Sequence, residues 1–170
     1  HRSIAKAISQ VTHVKTLWNT EKEVSIYEFY YPSKLQISPE LSKKISSLKD
    51  IEQSHNYVIK GTGGQGKSIF LRYLCGQELQ PKYSSNKIPI FIELKKIQKD
   101  VSLSELINES LIKLNLKPEI GIFDFLARSG CLILLLDAFD EIDPFEVTKC
   151  ISDIENIADK YEDELQIIIT

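Results

Sequence analysis

The chain has 170 residues, 42% hydrophobic and 26% charged, the profile of a soluble globular protein with enough material for one domain and a real core. A net charge of −3 and an isoelectric point near 5.7 give no support for nonspecific nucleic-acid or anionic-membrane binding as the task of this segment. No apolar run approaches the ~18 residues of a membrane span, and no signal-peptide pattern opens the chain.

Cys75, Cys131 and Cys150 show no metal-ligand spacing and no C-x-x-C, which fits buried core thiols in a reducing, cytoplasmic setting. The chain starts at His1, contains no methionine, and stops at Thr170 inside the apolar run Leu165-Gln166-Ile167-Ile168-Ile169-Thr170. The expectation is a piece of something larger.

In chain order, residues 3 to 18 place Ile4, Ala7, Ile8, Val11, Val14, Leu17 and Trp18 at helical spacing. Residues 24 to 31 are rich in aromatic and β-branched residues and read as a strand stopped by Pro32. Ser38-Pro39 reads as the cap and first position of a helix that carries Leu41, Ile45, Leu48 and Ile51, closed by Ser54-His55-Asn56. His55 reads as a loop residue. Tyr57-Val58-Ile59 then reads as a short buried strand.

The next residues, Gly61-Thr62-Gly63-Gly64-Gln65-Gly66-Lys67-Ser68, fit G-x-x-x-x-G-K-[ST], the phosphate-binding P-loop or Walker A motif, at every fixed position. Its glycines let backbone N–H groups approach a phosphate without a Cβ in the way. The helix predicted from Ile69 onward adds partial positive charge at its N-terminus. Lys67 reaches the β/γ-phosphates in this pattern, the Ser68 hydroxyl ligates Mg²⁺, and Ile69 completes the binding segment.

Beyond it, residues 81 to 86 form a polar connection and Ile88 to Leu94 a second strand, with Pro89 arguing for an edge position. Ser102-Leu103-Ser104-Glu105 is a capping box, with Val101 and Leu106 placed as a hydrophobic staple. The helix it starts buries Leu103, Leu106, Ile107, Leu111 and Leu114 and is broken by Pro118 and Gly121. A short helix over 122–129 ends at Gly130. Cys131 to Asp137 is a continuous apolar run ending in acid, the mark of a strand buried on both faces of a parallel sheet. Pro144 starts a further helix, with Val147, Cys150, Ile151, Ile154, Ile157, Ala158 and Tyr161 on one face. Residues 165 to 170 form the last strand. Strands alternating with helices predict an α/β doubly wound fold.

Asp137-Ala138-Phe139-Asp140-Glu141 follows the buried strand directly, at the carboxyl end where ligands sit in such sheets. Asp137 stands where a Walker B carboxylate holds Mg²⁺, and Asp140 or Glu141 can position and deprotonate an attacking water. No N-K-x-D guanine-reading motif occurs, since Asn86-Lys87-Ile88-Pro89 lacks the aspartate.

These residues resemble the NACHT-domain NTPases of the STAND group of signal-transduction ATPases. The resemblance rests on Gly61 to Ser68, on Leu134-Leu135-Leu136-Asp137-Ala138-Phe139-Asp140-Glu141, and on Phe91 to Leu94 and Phe125 to Gly130. It spans about residues 55 to 170, with Tyr30-Tyr31-Pro32 similar to a segment often found upstream. It implies a three-layer α/β/α P-loop NTPase with a mostly parallel sheet, incomplete at its C-terminal side, preceded by a helical and strand segment over 1–54. It also implies ATP/ADP and Mg²⁺ as ligands, slow ATP hydrolysis, and a nucleotide-gated switch that oligomerises through the full-length protein and brings effector domains together, with effector and sensor domains outside this chain, in innate-immune receptors or bacterial antiviral sensors. In the related strand order, one edge of the P-loop strand is left open in this piece, which predicts self-association. A P-loop kinase acting on a small molecule and a non-hydrolysing ADP-bound scaffold are the alternatives.

Overall fold

The computed structural model describes residues 2–16, 19–32, 34–53, 55–116 and 121–170. The chain opens with α1 (Arg2–Val11), a hairpin of β1 (His13–Thr16) and β2 (Asn19–Ser25), and a second hairpin of β3 (Lys34–Gln36) and β4 (Ser42–Lys44). It continues through β5 (Tyr57–Val58), α2 (Lys67–Gln77), β6 (Ile88–Glu93), α3 (Leu103–Lys113), α4 (Ile122–Arg128), β7 (Leu132–Asp137), α5 (Val147–Lys160) and β8 (Gln166–Ile169).

β5, β8, β7 and β6 form, in that order, an all-parallel sheet. Every residue of β7 is buried, as its unbroken apolar run predicts for a strand covered on both faces. Alternation divides the core: Leu132, Leu134 and Leu136 pack with α3, α4 and α5, while Ile133 and Leu135 pack with Phe70, Leu71 and Leu74 of α2. Full burial of each such side chain contributes about 1.5–3 kcal/mol. Pro89 lies in β6, at one edge of the sheet, where its missing N–H costs no ladder bond. β5 forms the opposite edge and pairs only with β8 among the described residues.

β5 is short, and the strand beside it holds it in place. The buried Gln166 amide donates to the carbonyls of Glu52 (2.7 Å) and His55 (2.9 Å), and the Ile167 N–H donates to Asn56 Oδ1 (2.8 Å). His55 is a loop residue as expected, with its ring 3.7 Å from Glu52. The Ser102–Glu105 capping box is complete, with the Ser102 N–H donating to Glu105 Oε2 at 2.6 Å.

The first 54 residues depart most from expectation. The first helix stops at Val11, because Thr12 Oγ1 (2.8 Å) and the His13 ring (2.7 Å) both engage the Ser9 carbonyl. The β-branched residues that follow pair as a strand, Val14 opposite Val24. Leu17 and Trp18 lie outside the described residues. The strand predicted over 24–31 ends at Ser25; Ile26–Glu28 is a 3₁₀ turn around the fully buried Ile26. Tyr27 and Tyr30 then pack on Tyr73 of α2, with ring centroids 6.0 and 4.9 Å away.

The helix predicted from Ser38 is absent. Ser38 instead closes the β3–β4 turn, accepting from the Leu41 N–H at 3.2 Å. Asp50 Oδ2 captures the N–H groups of Ser46 (2.7 Å) and Ser47 (3.0 Å), side-chain bonds that compete with a helix. Ile45, Leu48 and Ile51 still reach the core, whereas Leu41 is exposed. Ser54 and Pro118 lie outside the described residues. Pro144 precedes the last helix rather than starting it: residues 143–146 form a turn and α5 begins at Val147, with Ile151 on its exposed side. Cys75 and Cys150 are buried, and burial pushes their thiols up to about 12 and about 11; Cys131 is only half-buried.

The N-terminal segment packs on the face of α2. Ile8 of α1 shares a core with Ile45, Leu48, Phe70, Leu71 and Leu74. Gly76 makes this approach possible, because a Cβ there would strike the Tyr27 hydroxyl and sit 2.5 Å from the Thr12 methyl. Ala favours a helix over Gly by up to about 1 kcal/mol, but the buried Thr12 has no room to retreat. Gly76→Ala is therefore expected to destabilise the protein by about 1–2 kcal/mol, read as a lower urea midpoint at unchanged slope.

On the other face, Asp124 joins α4 to α5. It accepts from Lys160 (2.8 Å), the Tyr161 hydroxyl (2.9 Å) and Arg128 Nε (3.1 Å). The Lys160 and Tyr161 hydrogen bonds, helped by Arg128, hold its carboxyl down at about 2. A depressed carboxylate stabilises the fold above its unfolded pKa of ~3.9, and that contribution is lost as pH falls through the folded value. Asp124→Asn is expected to lower the urea midpoint at pH 7 and to converge with the parent protein near pH 2.

Candidate functional site

The site is built where β5, β7 and β8 end and α2 begins. Gly64 and Gly66 adopt left-handed backbone conformations, with φ of 80° and 82°, that turn the loop into the first residue of α2. Gly66 is the helix cap and offers no side-chain acceptor. The first N–H groups of α2 therefore have neither an intrahelical partner nor a capping side chain, the arrangement that receives anions at helix N-termini. Gln65 braces the loop, its Oε1 accepting from the Thr62 N–H at 3.0 Å. The Lys67 ammonium folds back to donate to the Gly61 carbonyl at 2.9 Å.

From the other side, Asp137 closes β7 and is buried. Ala138 follows in a left-handed conformation, φ 60° and ψ 46°, where a β-branched side chain would be strained. That turn carries Phe139–Glu141 round as a 3₁₀ turn and brings Asp140 and Glu141 to the mouth of the site. Asp140 Oδ2 lies 3.7 Å from the Lys67 ammonium, and Glu141 Oε2 lies 3.5 Å from that of Lys95.

Between the two sides is a cavity of about 320 Å³, lined by residues 63–69, Asp137, Ala138, Asp140, Glu141 and Thr170. Of the residues singled out in the sequence, Gly63, Gly64, Gln65, Gly66, Lys67, Ser68, Ile69, Asp137, Asp140 and Glu141 meet here. Gly61 and Thr62 do not line the cavity; they hold the loop's shape through their contacts with Lys67 and Gln65. Asn86 and Lys87 precede β6 at the amino end of the sheet, the end opposite the cavity. A second cavity, about 300 Å³, lies between α1, α2, β6 and α3 and contains none of the loop residues.

Two residues of the site were not anticipated. Thr170 follows β8, and its hydroxyl donates to Asp137 Oδ1 at 2.7 Å in a buried position. Its backbone is fixed as well: its N–H donates to Leu136 O and its carbonyl accepts from Phe139, both at 2.9 Å. The available signal was its place at the carboxyl end of a strand beside β7. Lys95 is the other, carried next to Glu141 by the 3₁₀ turn Leu94–Lys96 that follows β6. Glu93 stands opposite Asp137 in the sheet register, yet Arg72 (2.9 Å) and Lys96 (2.5 Å) tie it back. Burial alone would push the Glu93 carboxyl up, but the Lys96 hydrogen bond and the charges of Lys96, Arg72 and Lys95 take it below the usual range.

A model of the NACHT domain matches residues 55–159, the stretch from the residues before β5 to near the end of α5. The chain belongs to the NACHT family. It is a nucleotide-binding NTPase module with a P-loop α/β fold, and its parallel sheet with helices on both faces is that fold. No curated protein matches the chain. In the NACHT chain, Thr170 is the donor that satisfies the buried oxygen of Asp137. Thr170→Val removes the donor and keeps the shape, so about 1–3 kcal/mol of stability should be lost in urea denaturation, with Thr170→Ser recovering most of it.

Proposed function

We propose that this chain is the ATP/ADP-binding module of a larger cytoplasmic signalling or innate-defence protein of the bacterial-antiviral or animal-receptor kind. In this reading residues 55–170 form the nucleotide-binding core and residues 1–54 a segment ahead of it. The module acts as a nucleotide-gated switch, closed with ADP and open to oligomerisation with ATP, and slow hydrolysis resets it. The observation that carries the reading is the uncapped N-terminus of α2 opening, beside Lys67, into a cavity whose far wall is Asp137, Asp140 and Glu141. A cationic and N–H-rich wall facing an acidic one suits a phosphate chain that arrives with a divalent ion.

Each residue then has a role. Backbone N–H groups from Gly63, Gly64, Gln65, Gly66 and Ile69 cradle the phosphates, while Gly61 and Thr62 hold the loop's shape through Lys67 and Gln65. Lys67 binds the β/γ-phosphates with the N–H bonds it does not give to the Gly61 carbonyl. Ser68 and Asp137 would hold Mg²⁺, and the donor set fits, because a hydroxyl and a carboxylate are hard oxygen ligands for an ion that keeps several waters. Thr170 fixes one Asp137 oxygen, so the carboxylate cannot rotate away. When bound, the ion neutralises charge on the phosphate oxygens. Asp140 or Glu141 orients the attacking water and accepts its proton.

Nucleotide should reveal itself as stabilisation. At a hundred times its Kd, a ligand adds about 2.7 kcal/mol, a rise of roughly 5–10 °C in melting temperature for a domain of this size. With Mg²⁺, ATP and ADP are expected to give that rise and GTP is not, and Lys67→Ala should abolish it. Equal shifts in the parent protein and Lys67→Ala would overturn the reading.

A further inference from the structure

Both acids at the mouth of the cavity face a lysine, but the two lysines have different futures. Lys95 follows β6 in the turn Leu94–Lys96, anchored by the fully buried Leu94. The in-register pairing of Glu93 with Asp137 brings the two turns after those residues side by side, so Lys95 is set beside Glu141 by the backbone itself. Nothing in the proposed binding of nucleotide takes Lys95 away. Lys67 is the opposite case. Its ammonium donates to Gly61 O at 2.9 Å and lies 3.7 Å from Asp140; the first bond can persist when a phosphate binds, whereas the charge now facing Asp140 has to be shared with the phosphate. Lys67 is largely buried, with 16% of its side chain exposed, whereas Asp140 is 63% exposed. Asp140 is thus the more exposed partner of the pair, and both residues line the cavity that would receive a phosphate.

The geometry points to Asp140 as a built-in competitor for Lys67: its carboxylate pairs with the ammonium that a phosphate would use, and it sets both nucleotide affinity and the preference between ATP and ADP. This rests on the nucleotide reading above and concerns the regulation of the same site. Asp140 is here a positioning residue, acting through Lys67. Glu141 has no such part, because Lys95 keeps its charge compensated whether or not nucleotide is present. Of the two acids, Asp140 is the one left without its cation when a phosphate arrives. Its repulsion then falls on the terminal phosphate nearest Lys67, so it opposes ATP more than ADP.

The test compares Asp140→Asn with Glu141→Gln. Each removes one negative charge beside the phosphates and releases one lysine, so the two variants differ in whether that lysine is Lys67 or Lys95. Affinities for ADP and for a non-hydrolysable ATP analogue, with Mg²⁺, are measured by calorimetry on the parent chain and both variants. An exposed ion pair is worth up to about 1 kcal/mol, so Asp140→Asn should bind the ATP analogue about two- to fivefold more tightly than Glu141→Gln does. The gain should be larger for the ATP analogue than for ADP and should shrink in high salt. If Asp140→Asn binds no more tightly than Glu141→Gln, the inference is overturned while the nucleotide reading stands. Binding by Asp140→Asn where the parent protein shows none would support the inference strongly. If parent and variants all fail to bind either nucleotide, the inference falls with the reading on which it rests.

Discussion

The parallel register of β6, β7 and β8 is the constraint on which the site depends. β7 is buried along its whole length, so its backbone must be fully paired on both sides, and a slip of one residue would turn Leu132, Leu134 and Leu136 to the wrong layer. With that register fixed, Glu93 and Asp137 end level with one another and Thr170 arrives next to Asp137. The chemistry-bearing side chains are thus placed by apolar residues that touch no ligand. Ile88, Ile90, Leu134 and Ile167 have as much to do with the position of Asp137 as any polar neighbour.

The parts legible in the sequence were those where one local rule acts alone. The loop from Gly61 to Ser68 has a fixed spacing because the backbone must turn through left-handed conformations at Gly64 and Gly66. The run from Leu132 to Leu136 has no polar residue to confuse its meaning, and the Ser102–Glu105 capping box is closed within four residues of chain. Ala138 follows Asp137 in a left-handed conformation, which favours a small side chain. What could not be read was decided by contacts between distant segments. Thr170 meets Asp137 across 33 positions of sequence, and the Lys95–Glu141 and Lys67–Asp140 pairs depend on turns that the sheet brings together. In the first 54 residues, helical spacing of Leu41, Ile45, Leu48 and Ile51 was a true signal of burial for three of them and a false one of conformation. Asp50 and the serines before it overrode the periodicity through side-chain bonds that a pattern of apolar residues does not register.

The N-terminal segment and α2 share a hub at Arg72. This residue lies on α2, one turn beyond Ser68. Its guanidinium donates to the Val11 carbonyl at the end of α1 (3.0 Å) and to Glu93 at the end of β6 (2.9 Å), and it stacks on Phe91 with its central carbon 4.6 Å from the ring centroid. Planar geometry suits this role, since a lysine could not serve two acceptors and an aromatic face at once. With Gly76 further along the same helix giving way to Tyr27 and Thr12, α2 is clamped to the upstream segment at two heights. Any movement of α2 on phosphate binding therefore has a direct mechanical outlet toward α1.

The charge distribution around the cavity points the same way. The protein is acidic overall, yet the two lysines nearest the cavity each lie beside an acid of the Asp140–Glu141 turn. A phosphate chain adds several negative charges to a region that already holds Asp137, Asp140 and Glu141, and Lys67 with the uncapped helix end cannot offset all of them. In the proposed reading a divalent cation arriving with the nucleotide offsets part of that charge, and the hard oxygens of Ser68 and Asp137 would hold it. With three acids to two lysines around the cavity, a phosphate chain that brings its own cation is repelled less than a bare one.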